Sequence, residues 1–172
     1  MPIYALGELE PTISSSAFIH PDAVIIGAVT VGADSSVWPC AVLRGDTNVI
    51  TVGARTSIQD GAIVHCTADL PTLIGDDCTV GHNAHLEGCV VESGVLIGSG
   101  SLVLHEVHVH SGALVAAGAV CARGLIVPAN ALAIGVPARI KEGAADKATM
   151  EYSAKSYQAL TKRYPQELRR LD

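Results

Sequence analysis

A chain of 172 residues with 49% hydrophobic but only 3% aromatic residues has the length for one domain, with an interior filled by Val, Ile, Leu and Ala rather than by rings. Its net charge of −6 and its lack of a clustered Lys/Arg footprint exclude nucleic acid as a partner. No apolar run approaches the roughly 20 residues that span a bilayer. The start MPIYALGELEPTI also has no charged segment ahead of a hydrophobic stretch, so the expectation is a cytoplasmic protein with no membrane partner. Five cysteines (Cys40, Cys66, Cys78, Cys89, Cys121) are odd in number, widely spaced and without a C-x-x-C, which points to reduced thiols, several of them small core residues.

The first 20 residues read as a lead-in strand and cap, with Phe18 and Ile19 before the turn His20-Pro21-Asp22. Aliphatic residues then return every six positions: Val31, Val37, Leu43; Val52, Ile58, Val64; Ile74, Val80, Leu86; and Val91, Ile97, Val103, Val109, Val115. That period is too short for a helical repeat and too long for strand alternation, but it suits an all-β solenoid, a parallel β-helix with three hexapeptides per triangular coil. Gly27, Gly32, Gly53, Gly75, Gly81 and Gly98 each follow an inward aliphatic, where a corner leaves no room for a Cβ. The repeats run to about Pro137. Intervals of nine residues from Leu43 to Val52 and ten from Val64 to Ile74 predict loops leaving the prism after Arg44-Gly45-Asp46 and after His65. Beyond Lys141, Met150, Ala154, Tyr157, Leu160 and Tyr164 recur at helical spacing, predicting an amphipathic helix that breaks or ends before Pro165. The division expected is a β-helix with its N-terminal cap strand over residues 1–140 and a C-terminal helix packing on it over 141–172.

Stacking the coils places Leu43, Val64 and Leu86 above one another at about the 4.8 Å strand spacing, so Arg44, His65 and Glu87 follow in one column. At the preceding corner, Trp38, Gln59 and Gly81 follow Val37, Ile58 and Val80, with Asp60 and His82 one step on. Arg44, Asp46, Gln59, Asp60, His65, His82, His85 and Glu87 therefore gather on neighbouring parts of the outer surface. Imidazoles and a carboxylate are the ligands of a catalytic zinc that keeps one position open. His65 and Glu87 should meet one coil apart, whereas His82 points from a different stretch, so a symmetric trimer would supply it across each interface. His105, His108 and His110 are expected to lie away from this group, as surface histidines rather than a second metal site.

The runs ADSSVWPCAVLRGD, VGARTSIQDGAIVH and TLIGDDCTVGHNAHLEGC resemble the γ-class carbonic anhydrase family, and the resemblance covers nearly the whole chain. It implies a left-handed β-helix with a C-terminal helix, a homotrimer with sites at the subunit interfaces, and reversible hydration of CO2 to bicarbonate with zinc (or iron or cobalt). The family's three metal-binding histidines fall on His65, His82 and position 87, which is Glu87 here. The resemblance also implies an interface and site pair at Arg44 and Asp46, a pair near the metal at Gln59 and Asp60, and a helix tyrosine approaching the pocket at Tyr157. Three readings of position 87 compete: Glu87 binds the metal itself, His85 substitutes for it, or the site has lost its metal. The short loop HCTADLPT offers only Asp69 for proton transfer, so weak or absent hydration is expected. Two other classes remain: a hexapeptide acyltransferase with His82 or His85 as general base, and a non-catalytic trimeric structural or ligand-binding protein.

Overall fold

A computed structural model describes residues 2–172, and in it the chain winds as a left-handed parallel β-solenoid with one C-terminal helix, Lys147–Glu167. Three faces form a triangular prism. The first stacks the leading halves of Val24–Val31 and Val42–Val52, then Ile63–His65, His85–Glu87, Leu102–Val103 and Val120–Cys121. The second stacks the trailing halves of the two long strands, then Thr72–Ile74, Val90–Val91, His108–Val109 and Ile126–Val127. On the third, eight strands run from Phe18–Ile19 through Ser36–Val37, Ser57–Ile58, Thr79–Val80, Leu96–Ile97 and Leu114–Val115 to Leu132–Ile134 and Arg139–Lys141. That last pair is antiparallel; the others on this face are parallel.

The hexapeptide aliphatics form the inner columns. Val37, Ile58, Val80, Ile97 and Val115 stand in register, as do Leu43, Val64, Leu86, Val103 and Cys121, and all are fully buried. Each such side chain contributes roughly 1.5–3 kcal/mol of transfer free energy. Cys66, Cys78, Cys89 and Cys121 are buried free thiols, and burial pushes Cys78 and Cys121 up to about 11 and Cys89 to about 12. Gly53 shows why the corners select glycine: a Cβ there would lie 2.5 Å from the Gly75 carbonyl carbon of the next coil.

The excursion expected after Arg44-Gly45-Asp46 is present: Val42–Val52 is one strand, but its register with Val24–Val31 passes from Gly27–Gly45 to Val29–Ile50, so Asp46, Thr47, Asn48 and Val49 have no ladder partner and bulge outward at the corner. One local expectation needs correction. The helix does not stop before Pro165 but runs through it to Glu167. Proline this late removes only one backbone hydrogen bond, and Leu168 N–H closes the end on the Tyr164 carbonyl at 2.9 Å.

The scarce aromatics lie outside the prism, where they hold this helix. Trp38 meets Tyr164, Tyr157 and Phe18 at ring-centroid distances of 4.9, 5.4 and 5.4 Å, and its indole N–H donates to Ser36 and Ser57 hydroxyls at 3.0 and 2.9 Å. The helix packs on strands Phe18–Ile19, Ser36–Val37, Ser57–Ile58 and Thr79–Val80 of the third face. Among the described residues, no helix is long and apolar enough to cross a membrane.

Candidate functional site

The stacking places Arg44 beside His65 and His65 beside Glu87 in successive coils, at the end of the first face. His65 is the centre of the group. Its Nε2 lies 3.1 Å from Asp46 Oδ1 and its Nδ1 3.0 Å from Glu87 Oε1, while the Arg44 guanidinium donates to the other Asp46 oxygen. Burial pushes both carboxyls up, but hydrogen bonds outweigh it: His65 and Arg44 hold Asp46, and His65 and His85 hold Glu87, below their ordinary values. Both carboxylates are therefore anions at neutral pH.

That arrangement tests whether the corner suits a metal. A neutral imidazole has one N–H and cannot donate to two carboxylates at once. With Nε2–H committed to Asp46, Nδ1 and Glu87 Oε1 face each other as two acceptors, and a cation between them, either a second proton or a metal ion, satisfies both. The carboxylate–histidine pairing that fixes a ligand's tautomer is thus present in Asp46 and His65. The donor set fits a zinc-like ion in part: one chain supplies His65 and Glu87 here, and a third donor must come from elsewhere.

Glu87 has two more histidine neighbours. His85 Nε2 approaches its Oε2 at 3.2 Å, and His105 Nε2 its Oε1 at 3.6 Å. The expectation that His105 lies away from this group is therefore wrong. It stands one residue past the column, and its ring reaches back over Gly88, where a Cβ would come within 3.0 Å of it. Its Nε2 is buried without a hydrogen-bond partner. Sequence reasoning missed this residue; the signal was a glycine next to Glu87, leaving room for a long side chain from the next coil.

Gln59, Asp60, His82 and Tyr157 form a second group at the opposite edge of the first face. His82 Nδ1 lies 3.0 Å from Asp60 Oδ2, the His82 backbone N–H donates to Gln59 Oε1 at 3.1 Å, and Tyr157 OH is 3.2 Å from His82 Nε2. Tyr157 arrives on the helix, placed by its contact with Trp38, and burial first, then the Asp60 charge, raises its phenol. Among the described residues, the donors of His65, His82 and Glu87 do not converge within one chain. His108 and His110 do lie apart, beside Glu92 where the second face turns into the third.

Residues 10–45 and 71–103 match the family model for bacterial transferase hexapeptide (six repeats). The chain is 38% identical over 165 residues to gamma carbonic anhydrase 1, mitochondrial, of Arabidopsis thaliana, covering 91% of this chain and 60% of that protein. It is 37% identical over 146 residues to carnitine operon protein CaiE of Escherichia fergusonii, covering 85% and 74%. It thus spans only about 60% of the Arabidopsis protein's length. Among solved structures, a Bacillus cereus protein provisionally described as an acetyltransferase superposes with a TM-score of 0.91 at 36% identity, covering 94% of this chain and 95% of that one. The register, the acid–histidine corner and these likenesses together place the chain in the γ-class carbonic anhydrase family of hexapeptide-repeat β-helix proteins.

Proposed function

We propose that the chain assembles as a homotrimer in which His65 and Glu87 of one copy and His82 of the next hold a zinc, iron or cobalt ion for the reversible hydration of CO2. The Asp46–His65–Glu87 relay carries this reading, because it presents an imidazole lone pair beside a carboxylate at an edge that its own chain does not complete. The first face favours a second copy of this chain as its cover. Val24, Val42, Ile63, Leu102 and Val120 form an outward column broken only by His85, with Ile63 45% and Leu102 37% exposed. His82 lies at one edge of that face and His65 at the other, so packing the face around a threefold axis sets one beside its neighbour's other.

A bound ion of this class supplies the Lewis acidity that makes water a nucleophile toward CO2 at neutral pH. Asp46 keeps the His65 proton on Nε2 and leaves Nδ1 free to ligate, and Arg44 holds Asp46 in place. Asp60 does the same for His82, accepting from its Nδ1–H, so Nε2 carries the lone pair, which Tyr157 OH meets at 3.2 Å until an ion takes it. Gln59 Oε1 is occupied by the His82 amide, so its N–H groups are the donors left to orient an oxygen of CO2 or bicarbonate. Glu87 places a negative charge where the family has a neutral imidazole. That charge would offset part of the ion's own and weaken the Lewis acidity it would supply, so hydration is expected to be slow at neutral pH.

The test is elemental analysis of anaerobically purified protein together with its assembly mass. A trimer whose metal content falls by about one ion per chain in His82→Ala, with an unchanged circular dichroism spectrum, supports the shared site. A trimer that stays metal-free after reconstitution sinks it. The second reading, acyl transfer with His82 as general base, draws on its Asp60 partner at 3.0 Å and the Bacillus cereus likeness. Turnover of acetyl-CoA by metal-free protein would favour it.

A further inference from the structure

Where the second face turns into the third, the ladder sets Val90 opposite His108 and Val91 opposite Val109, so Glu92 and His110 occupy equivalent places in successive coils. Glu92 Oε1 lies 2.8 Å from His108 Nε2 and 2.9 Å from His110 Nδ1. The two imidazoles stack at 4.1 Å between centroids, 22° from parallel. Glu92 Oε2 accepts from the Ser111 backbone N–H at 2.9 Å and the Ser111 hydroxyl at 2.8 Å. One carboxylate oxygen is thereby fixed by the backbone, and the other is aimed at two ring nitrogens.

Two features point beyond a hydrogen-bonded surface trio. The three donor atoms lie within 4.8 Å of one another, the only such set of three or more His, Cys, Asp or Glu donors among the described residues. His108 lies in the strand His108–Val109, and Glu92 and His110 directly follow paired strands, their backbone N–H groups donating to the Val109 and Val127 carbonyls at 2.9 Å, so the ladder holds the backbone of all three. The trio is about a third exposed, which leaves a path for an ion and room for water as a further ligand.

We propose that Glu92, His108 and His110 form a second divalent-metal site, with zinc as the favoured ion. Two imidazoles and one carboxylate suit a borderline cation such as zinc rather than calcium or magnesium, which prefer all-oxygen shells. On binding, the His108 Nε2 and His110 Nδ1 protons move to the other ring nitrogens or to solvent, and each lone pair turns to the ion. Ser111 acts as the outer partner that orients the carboxylate. The site is independent of the His65–Glu87 corner and does not need a partner copy. Its effect is to clamp the coil carrying Glu92 to the coil carrying His108 and His110.

Zinc alone is the probe, titrated calorimetrically into EDTA-stripped full-length protein. Relative to wild type, His108→Asn/His110→Asn is expected to lose about one zinc per chain, and Ser111→Ala to keep that equivalent at about tenfold weaker affinity. Zinc should also shift the His108 and His110 ring resonances in protein whose only substitution is His82→Ala, which separates this site from the interfacial one. Matching thermal melts of the metal-free proteins check that the substitutions leave the fold intact. Equal zinc stoichiometry and affinity in wild type and the double variant, or unmoved ring resonances, overturns the proposal.

Discussion

Trp38 is the most informative single position to perturb, because one side chain connects the solenoid, the helix and His82. It is 3% exposed, packs against Tyr157, Tyr164 and Phe18, and satisfies the Ser36 and Ser57 hydroxyls. Truncation to alanine removes a large buried ring and leaves a cavity under the helix, worth about 3–5 kcal/mol. Trp38→Phe keeps most of the ring but removes the indole N–H, leaving two buried hydroxyls to pair with each other at a cost nearer 1 kcal/mol. Coils of a solenoid rest mainly on their nearest neighbours, so the loss should be confined to helix docking. In urea, Trp38→Ala is expected to release the helix in an early transition, with the ladder unfolding near its wild-type midpoint. Hydrogen exchange then shows faster amides in Lys147–Glu167 and unchanged protection around Leu43, Val64 and Leu86. Tyr157 leaves His82 in the same step, so the His82 ring resonances should shift as well. A single cooperative transition shifted as a whole, or unchanged exchange in the helix, would refute this division of labour.

Gly53→Ala should destabilise the ladder by about 1–3 kcal/mol, measured by denaturant unfolding, because the new methyl meets Gly75 backbone that cannot rotate away. Asp146 caps the helix; hydrogen bonds from the Thr149 hydroxyl and then its backbone N–H hold its carboxyl below the ordinary 3.8. A lowered folded value means the cap contributes fully above 3.8 and is lost as pH falls through that lower value, so helical dichroism should drop there before strand content does. Asp146→Asn should remove that pH dependence. Of the five free thiols only Cys40 is exposed, so a thiol reagent should modify one per chain in native protein and five after denaturation. Rapid labelling of a second thiol in the native state would show that the core columns open.

The columns of Val, Ile and Leu were legible because their spacing depends on coil geometry alone, and stacking them placed Arg44, His65 and Glu87 in register without any other information. What escaped depended on side-chain reach and on local pairing. His105 belongs to the neighbouring position of the next coil and joins Glu87 only because Gly88 has no side chain. That the interval after Leu43 holds an outward bulge at Asp46–Val49 was legible from the interrupted hexapeptide beat; that its flanks stay paired within one strand was not. Pro165 suggested a helix end, but a proline in the last turn removes too little to end it sooner. The single tryptophan gave no hint from spacing that it would organise Phe18, Tyr157 and Tyr164 on the outside of the prism.

The reversed strand Arg139–Lys141 has a consequence for solubility. A parallel ladder ends in an open row of backbone donors and acceptors, and another copy could continue it indefinitely. Here the last rung on the third face runs the opposite way, folds Ile140 inward against the core, and leaves Arg139 and Lys141 exposed to water. An incoming coil would meet the wrong polarity and two positive charges. On the third face, growth into a filament is stopped by three residues, and a chain cut before Arg139 would present the unpaired Leu132–Ile134 edge as a template for its neighbours.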